Sequence, residues 1–200
     1  MQDHTTEQEL KERLKLIEHM IAEGRRTTES WGWTFILWGV AYFVAITWSA
    51  WGHSVWAWPV TVLIAVILTV VIAFSRTGNH PATTLGRAIG SIWIALGVSM
   101  CLLFIALSIS ERLTDQHLFA AVISAILGMA NGASALILRW KVQLACAAVW
   151  WLAAVATCFG SDAQSMIVFL VAIFLCQIAF GIYGTFANAQ GRRRRAPSDV

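Results

Sequence analysis

Six runs of 18 to 22 residues, at 31–51, 56–74, 88–109, 118–138, 142–159 and 166–187, contain no Asp, Glu, Lys, Arg or His. A hydrocarbon layer about 30 Å thick takes roughly 20 residues of helix at about 1.5 Å per residue, so each run is long enough to cross it. Buried helices of soluble proteins seldom stay this apolar beyond about 14 residues. The pattern predicts an all-α polytopic membrane protein, a bundle of six transmembrane helices at 31–188. The fifth run is the shortest, and Gln143 near its start leaves that boundary the least defined. Composition agrees: 58% of residues are hydrophobic and 12% charged, against about 45–50% and about 25% in soluble chains. A soluble globular enzyme, a disordered chain and a disulfide-stapled secreted module are excluded on that ground.

If the six spans alternate, Lys11, Arg13, Lys15, Arg25, Arg26, Arg76, Arg87, Arg139, Lys141 and Arg192 to Arg195 share one side and Arg112 stands alone on the other. Positive residues in short loops stay on the cytoplasmic side. Both termini are therefore expected in the cytoplasm, in a plasma membrane of the bacterial inner-membrane type. The first thirty residues mix both signs of charge and lack the apolar core of a secretory signal, so the first span is expected to act as an uncleaved anchor.

Residues from about Thr6 to Glu23 read as a cytosolic amphipathic helix, with a Thr6–Glu9 capping box and Gly24 as its stop. Glu7–Lys11 and Glu9–Arg13 are i,i+4 pairs in the favourable order. Leu10, Leu14, Ile17 and Ile21 form one stripe, widened by Leu16 and Met20. This stripe predicts contact with a cytosolic protein partner, a lipid surface or the protein's own bundle. Arg192, Arg193, Arg194 and Arg195 open a basic tail over 189–200, suited to anionic lipid head groups at about 1 kcal/mol per charge. Nucleic acid is not an expected partner.

Within a bilayer, helices associate through small residues that let backbones approach. Gly86/Gly90 and Gly128/Gly132 are GxxxG pairs, and Ala41–Ala45–Ser49, Thr61–Ala65–Thr69–Ala73 and Ser91–Ala95–Ser99 recur every fourth residue. Rows on nearly every span suit a compact bundle and a homo-oligomer. Gly32, Gly39 and Val40 echo Gly90, Gly97 and Val98 at an offset of 58, the mark of a weak parallel repeat.

Chemistry-bearing residues are sparse. Asn131 and Gln177 are the mid-span amides, and Trp150 and Trp151 the deep aromatic pair. These four are the candidate ligand-binding residues, since an unpaired amide in hydrocarbon costs several kcal/mol and an aromatic wall suits an apolar or cationic ligand. The four cysteines form no CxxC pair, and all five histidines lie outside the spans, so neither a metal, a haem nor any other cofactor is expected. Gly132-Ala133-Ser134 looks like the serine motif of rhomboid proteases, but the sixth span, IVFLVAIFLCQIAFGIYGTFA, offers no histidine as its base. The expected function is thus a non-enzymatic scaffold, sensor or regulatory subunit acting through helix contacts. The alternative is a small permease or channel for an uncharged or amphipathic solute. An interfacial enzyme built on His80, His117, Glu111 or Asp115 ranks third.

Overall fold

A computed structural model describes residues 2–52, 56–76, 84–109 and 116–193. Its helices are α1 (Gln2–Ser30), α2 (Gly32–Gly52), α3 (Ala57–Arg76), α4 (Thr84–Ile109), α5 (Gln116–Leu138), α6 (Lys141–Phe159), α7 (Asp162–Ile173) and α8 (Phe180–Arg193). A π-helical turn, Phe174–Ala179, joins α7 to α8, and no strand occurs among the described residues. Six helical segments are long and apolar enough to cross a membrane, and they overlap the six uncharged runs, which fits a multi-pass membrane protein.

The centre of the bundle is the α5–α6 hairpin with the α7–α8 run against it. The hairpin closes tightly because α5 ends in a Schellman motif. The Arg139 N–H reaches the Leu136 carbonyl at 3.4 Å and the Trp140 N–H reaches the Ala135 carbonyl at 2.9 Å. The motif requires a left-handed residue, and Arg139 supplies it with φ of 49° where glycine is usual. At the other end of α6, α7 opens on a capping box. The Ser161 hydroxyl accepts from the Gln164 N–H at 3.4 Å, and the Gln164 side chain accepts from the Ser161 N–H at 2.9 Å.

The last span is shaped by a buried stripe that recurs every fourth residue. Ser165, Phe169, Ile173, Gln177 and Gly181 are all buried, four residues apart. In a 3.6-residue helix each such step overshoots a turn by about 40°. The wider π turn at Phe174–Ala179 absorbs part of that drift and keeps Cys176 and Gln177, adjacent in sequence, both facing inward.

α2 seals this core from one side by glycine contacts. A methyl group at Gly32 would stand 2.8 Å from the Gly181 carbonyl oxygen and 2.9 Å from the Thr185 nitrogen. One at Gly39 would stand 2.8 Å from Ile178 Cγ1. α3 packs against α2, and Ala45 on α2 and Ala57, Thr61 and Ala65 on α3, members of the expected small-residue rows or next to them, are buried. Aromatic rings fill the wider gaps: Phe35 meets Trp93 and Phe180 edge-on at 5.1 and 5.0 Å, and Trp58 meets Phe119 at 5.5 Å.

Several expectations are corrected. The N-terminal helix does not stop at Gly24. It runs to Ser30, and only the Trp31 turn separates it from α2. Gly24 is instead a contact point, where a Cβ would meet Leu85 and Leu138 side chains at 2.7 and 2.8 Å. The Gly128/Gly132 pair does not seat a helix backbone. Both glycines lie beneath the Trp151 indole, with added methyls 2.5 and 2.8 Å from its atoms. Ser91, Ala95 and Ser99 are exposed, and nothing lies within 4 Å of a Cβ added at Gly90 or Gly97. The echo with Gly32 and Gly39 is therefore not a repeated packing unit. The helix that carries the sixth uncharged run starts at Asp162, four residues before the run, because the Ser161 capping box opens it there.

Candidate functional site

Three places in the fold concentrate polar chemistry. The first is the interior of the α5–α6 hairpin. Ser124, Asn131 and Ser134 on α5 and Gln143 and Trp150 on α6 are fully buried. Asn131 spends its Nδ2 on the Leu127 carbonyl at 2.9 Å, one turn back. Its Oδ1, the Ser124 and Ser134 hydroxyls, both amide atoms of Gln143 and the Trp150 Nε1 have no protein partner. An orphaned buried polar group costs about 1–3 kcal/mol, so this set is energetically loaded.

The four candidate ligand residues are not gathered into one pocket lining. Trp150 is buried against Phe169, with ring centroids 6.2 Å apart, whereas Trp151 caps the two α5 glycines and stays 43% exposed. Gln177 lies in the π turn, its Cβ 3.0 Å from the position a Cβ would take at Gly39 of α2. Cys176 lies beside it and donates its thiol to the Cys146 carbonyl at 3.4 Å. In the sequence Gln143 marks only an ill-defined span start, because two residues from Lys141 an interfacial position is the ordinary reading; in the structure it is fully buried.

The second place is the end of the bundle where α1, the start of α4 and the end of α5 meet. The Arg25 guanidinium donates to the carbonyls of Leu138 and Arg139 at 3.3 and 3.2 Å. These are carbonyls at a helix C-terminus, where a cation is favoured. Partial burial pushes the Glu29 carboxyl above the usual range, and Arg25 and Arg26 offset part of that. So anchored, α1 continues past the bundle with Leu10, Leu14, Leu16 and Ile17 more than half exposed. Ile21 is partly covered, and Arg87, Arg139 and Lys141 around the anchor are exposed. The α8 backbone reaches Arg193, while Arg194 and Arg195 lie outside the described residues.

The third place is at the opposite end, where α5 starts, α6 ends and α7 starts. His117 Nε2 lies 2.6 Å from Asp162 Oδ1, and its Nδ1 lies 2.8 Å from the Thr157 carbonyl oxygen. Ser165 Oγ stands 2.8 Å from the same Nδ1 and donates to the Thr157 carbonyl at 3.0 Å. Serine, histidine and aspartate thus come together, and the Ser165 hydroxyl, 1% exposed, lies within hydrogen-bond distance of both the Thr157 carbonyl and the ring nitrogen. The sequence hinted at this cluster only through His117. Its partners lie 40 to 48 residues away and no spacing rule links them. His80, Glu111 and Asp115 lie outside the described residues.

Comparison with known proteins finds no matching family model, no matching curated protein and no matching solved structure.

Proposed function

We propose that this is a non-enzymatic integral membrane protein that works as a docking scaffold or regulatory subunit. In this reading both termini are cytoplasmic and α1 is an arm that receives a cytosolic partner. One observation carries it. Residues 10, 14, 17, 21, 24 and 28 share a face of a 3.6-residue helix, and Gly24 and Thr28 on that face are buried in the bundle while Leu10, Leu14 and Ile17 are bare. The bare stripe, Leu10 to Ile17, therefore overhangs the end of its own bundle for about 10 Å. In this reading it is an apolar wall beside a basic floor made of Arg87, Arg139 and Lys141, which are exposed around the contact of Gly24 with Leu85 and Leu138.

An apolar wall beside a basic floor suits an acidic amphipathic helix, with leucine-type anchors toward α1 and carboxylates toward the arginines. The chain's own tail, RRRRAPSDV, has the wrong sign of charge for that floor. Arg192 to Arg195 are instead the proposed contact for anionic head groups.

The test uses the full chain in nanodiscs with an acidic, leucine-periodic helical peptide as probe. Binding should weaken at least tenfold in Leu14→Glu, in the double variant Arg139→Glu, Lys141→Glu, and on raising salt from 50 to 500 mM (about a threefold fall in screening length). A photoreactive residue at position 14 should, in native membranes, attach to a segment of another protein with that acidic amphipathic pattern. Attachment to a second copy of the chain, or to lipid alone, overturns the reading.

A second reading, a path for a small uncharged solute, is favoured by the orphaned polar atoms of Asn131, Ser134, Gln143 and Trp150 inside the hairpin. It requires glycerol entry into proteoliposomes above that of empty liposomes, abolished in Asn131→Leu and Gln143→Leu. Entry equal to empty liposomes, or unchanged in the variants, ends it.

A further inference from the structure

We propose that His117 is a proton-binding site that clasps α5, α6 and α7 together when it is charged and releases them when it is neutral. The inference rests on which atoms surround the ring. The Asp162 carboxylate, 2.6 Å from Nε2, can only accept a hydrogen bond. The Thr157 carbonyl oxygen, 2.8 Å from Nδ1, can only accept as well. A neutral imidazole carries one N–H, so it leaves one of these oxygens facing a nitrogen lone pair at contact distance. The imidazolium carries two and satisfies both. In that state the Ser165 hydroxyl donates to the Thr157 carbonyl; in a neutral ring protonated at Nε2 it can donate to Nδ1 instead, 2.8 Å away, but the Thr157 oxygen then still faces that lone pair.

Thr157 lies in the last turn of α6, whose carbonyls lack intrahelical donors. The clasp thus closes the α6 terminus at the negative end of its dipole, where a cation is favoured. Asp162 is the first residue of α7, where a carboxylate is favoured for the converse reason. His117 also sits in the first turn of α5, whose dipole opposes a cation. Two short charge-assisted hydrogen bonds outweigh that dispersed opposition.

Among the described residues, the charged and titratable groups around the ring are few. α7 contributes Asp162, which is 88% exposed, and the end of α6 contributes only the exposed Cys158 thiol, bonded to the Ala154 carbonyl. α5 adds no other ionisable side chain in its first turns. Glu111, Arg112 and Asp115 precede α5 and lie outside the described residues. When the proton leaves, one of these two hydrogen bonds is lost, and the tie from the start of α5 to the α6–α7 turn weakens.

A histidine that gains proton acceptors on folding stabilises the fold fully below its unfolded titration point, about pH 6.5, and the gain is lost as pH rises through the folded one. The deciding measurement is the side-chain nitrogen NMR spectrum of histidine-labelled full chain in nanodiscs, with the His117 signals identified by their loss in His117→Gln. At pH 7 the ring should show two N–H groups, and it should lose one at a pH at least one unit above the other histidines. Asp162→Asn should lower that point by a unit or more. The thermal midpoint of the wild type should exceed that of His117→Gln most below pH 6.5 and converge with it as pH rises. A single N–H tautomer already present at pH 6, or a titration unmoved by Asp162→Asn, overturns the proposal. Neither reading of the overall function is needed for it.

Discussion

Gly181→Val should leave the bundle unable to hold its native packing. Added atoms at this position meet Gly32 O at 2.7 Å and Ile36 N at 3.0 Å, both backbone, and Ile36 Cγ1 at 2.6 Å. A side chain can swing away from an intruding methyl, whereas a helix backbone can yield only by moving the whole of α2. Overpacking usually costs about 1–3 kcal/mol, and a backbone obstacle puts this substitution at about 3 kcal/mol or more. That is a large part of a typical stability of about 5–15 kcal/mol. Unfolding of the purified protein by sodium dodecyl sulfate, followed by circular dichroism, reads the loss. Gly90→Val is the matched control, because open space surrounds that position; its change should stay within about 0.5 kcal/mol. Equal stability of the two variants would show that α2 and α8 do not cross where Gly32 and Gly181 meet.

Trp150→Ala should cost about 3–5 kcal/mol, the range for emptying a large buried aromatic site. The indole is 0% exposed and packs on Phe169, between the hairpin and α7. In a lipid-surrounded bundle the loss is mainly of dispersion contacts rather than of hydrophobic transfer. The ring nitrogen has no hydrogen-bond partner, so Trp150→Phe keeps most of what matters and should cost under about 2 kcal/mol. The same denaturation assay checks both. If phenylalanine costs as much as alanine, the indole N–H has a partner in the membrane, and the permeation reading gains from it.

The polar cluster at His117 and the orphaned amide of Gln143 illustrate different limits of a linear reading. Asn131 and Gln177 stood out because an amide in the middle of an uncharged run is conspicuous. Gln143 did not, because a residue near a span end is ordinarily interfacial, and only the phase of α6 decides whether it faces in. His117, Asp162 and Ser165 are unremarkable one by one and become a site only because two helix turns bring three helix ends together. The Ser161–Gln164 capping box that opens α7 is local, resting on side chains three residues apart. The glycines misled in both directions. Gly90 and Gly97 match Gly32 and Gly39 in spacing yet face open space, while Gly181, in no GxxxG pair, makes one of the tightest contacts.

The sequence by itself determined that the chain is helical, that six segments suit a bilayer, and that basic residues collect at alternate turns, because length, hydropathy and charge are properties of a segment alone. Only the tertiary structure decided which glycines touch backbone, that Trp151 fills the α5 groove while Trp150 is buried, that α1 runs unbroken to the bundle and is pinned there by Arg25, and that His117 stands between a carboxylate and a carbonyl. Those facts depend on the rotation of each helix about its own axis. In an all-round apolar helix, no amphipathic face specifies that angle in advance, and the neighbouring helices set it.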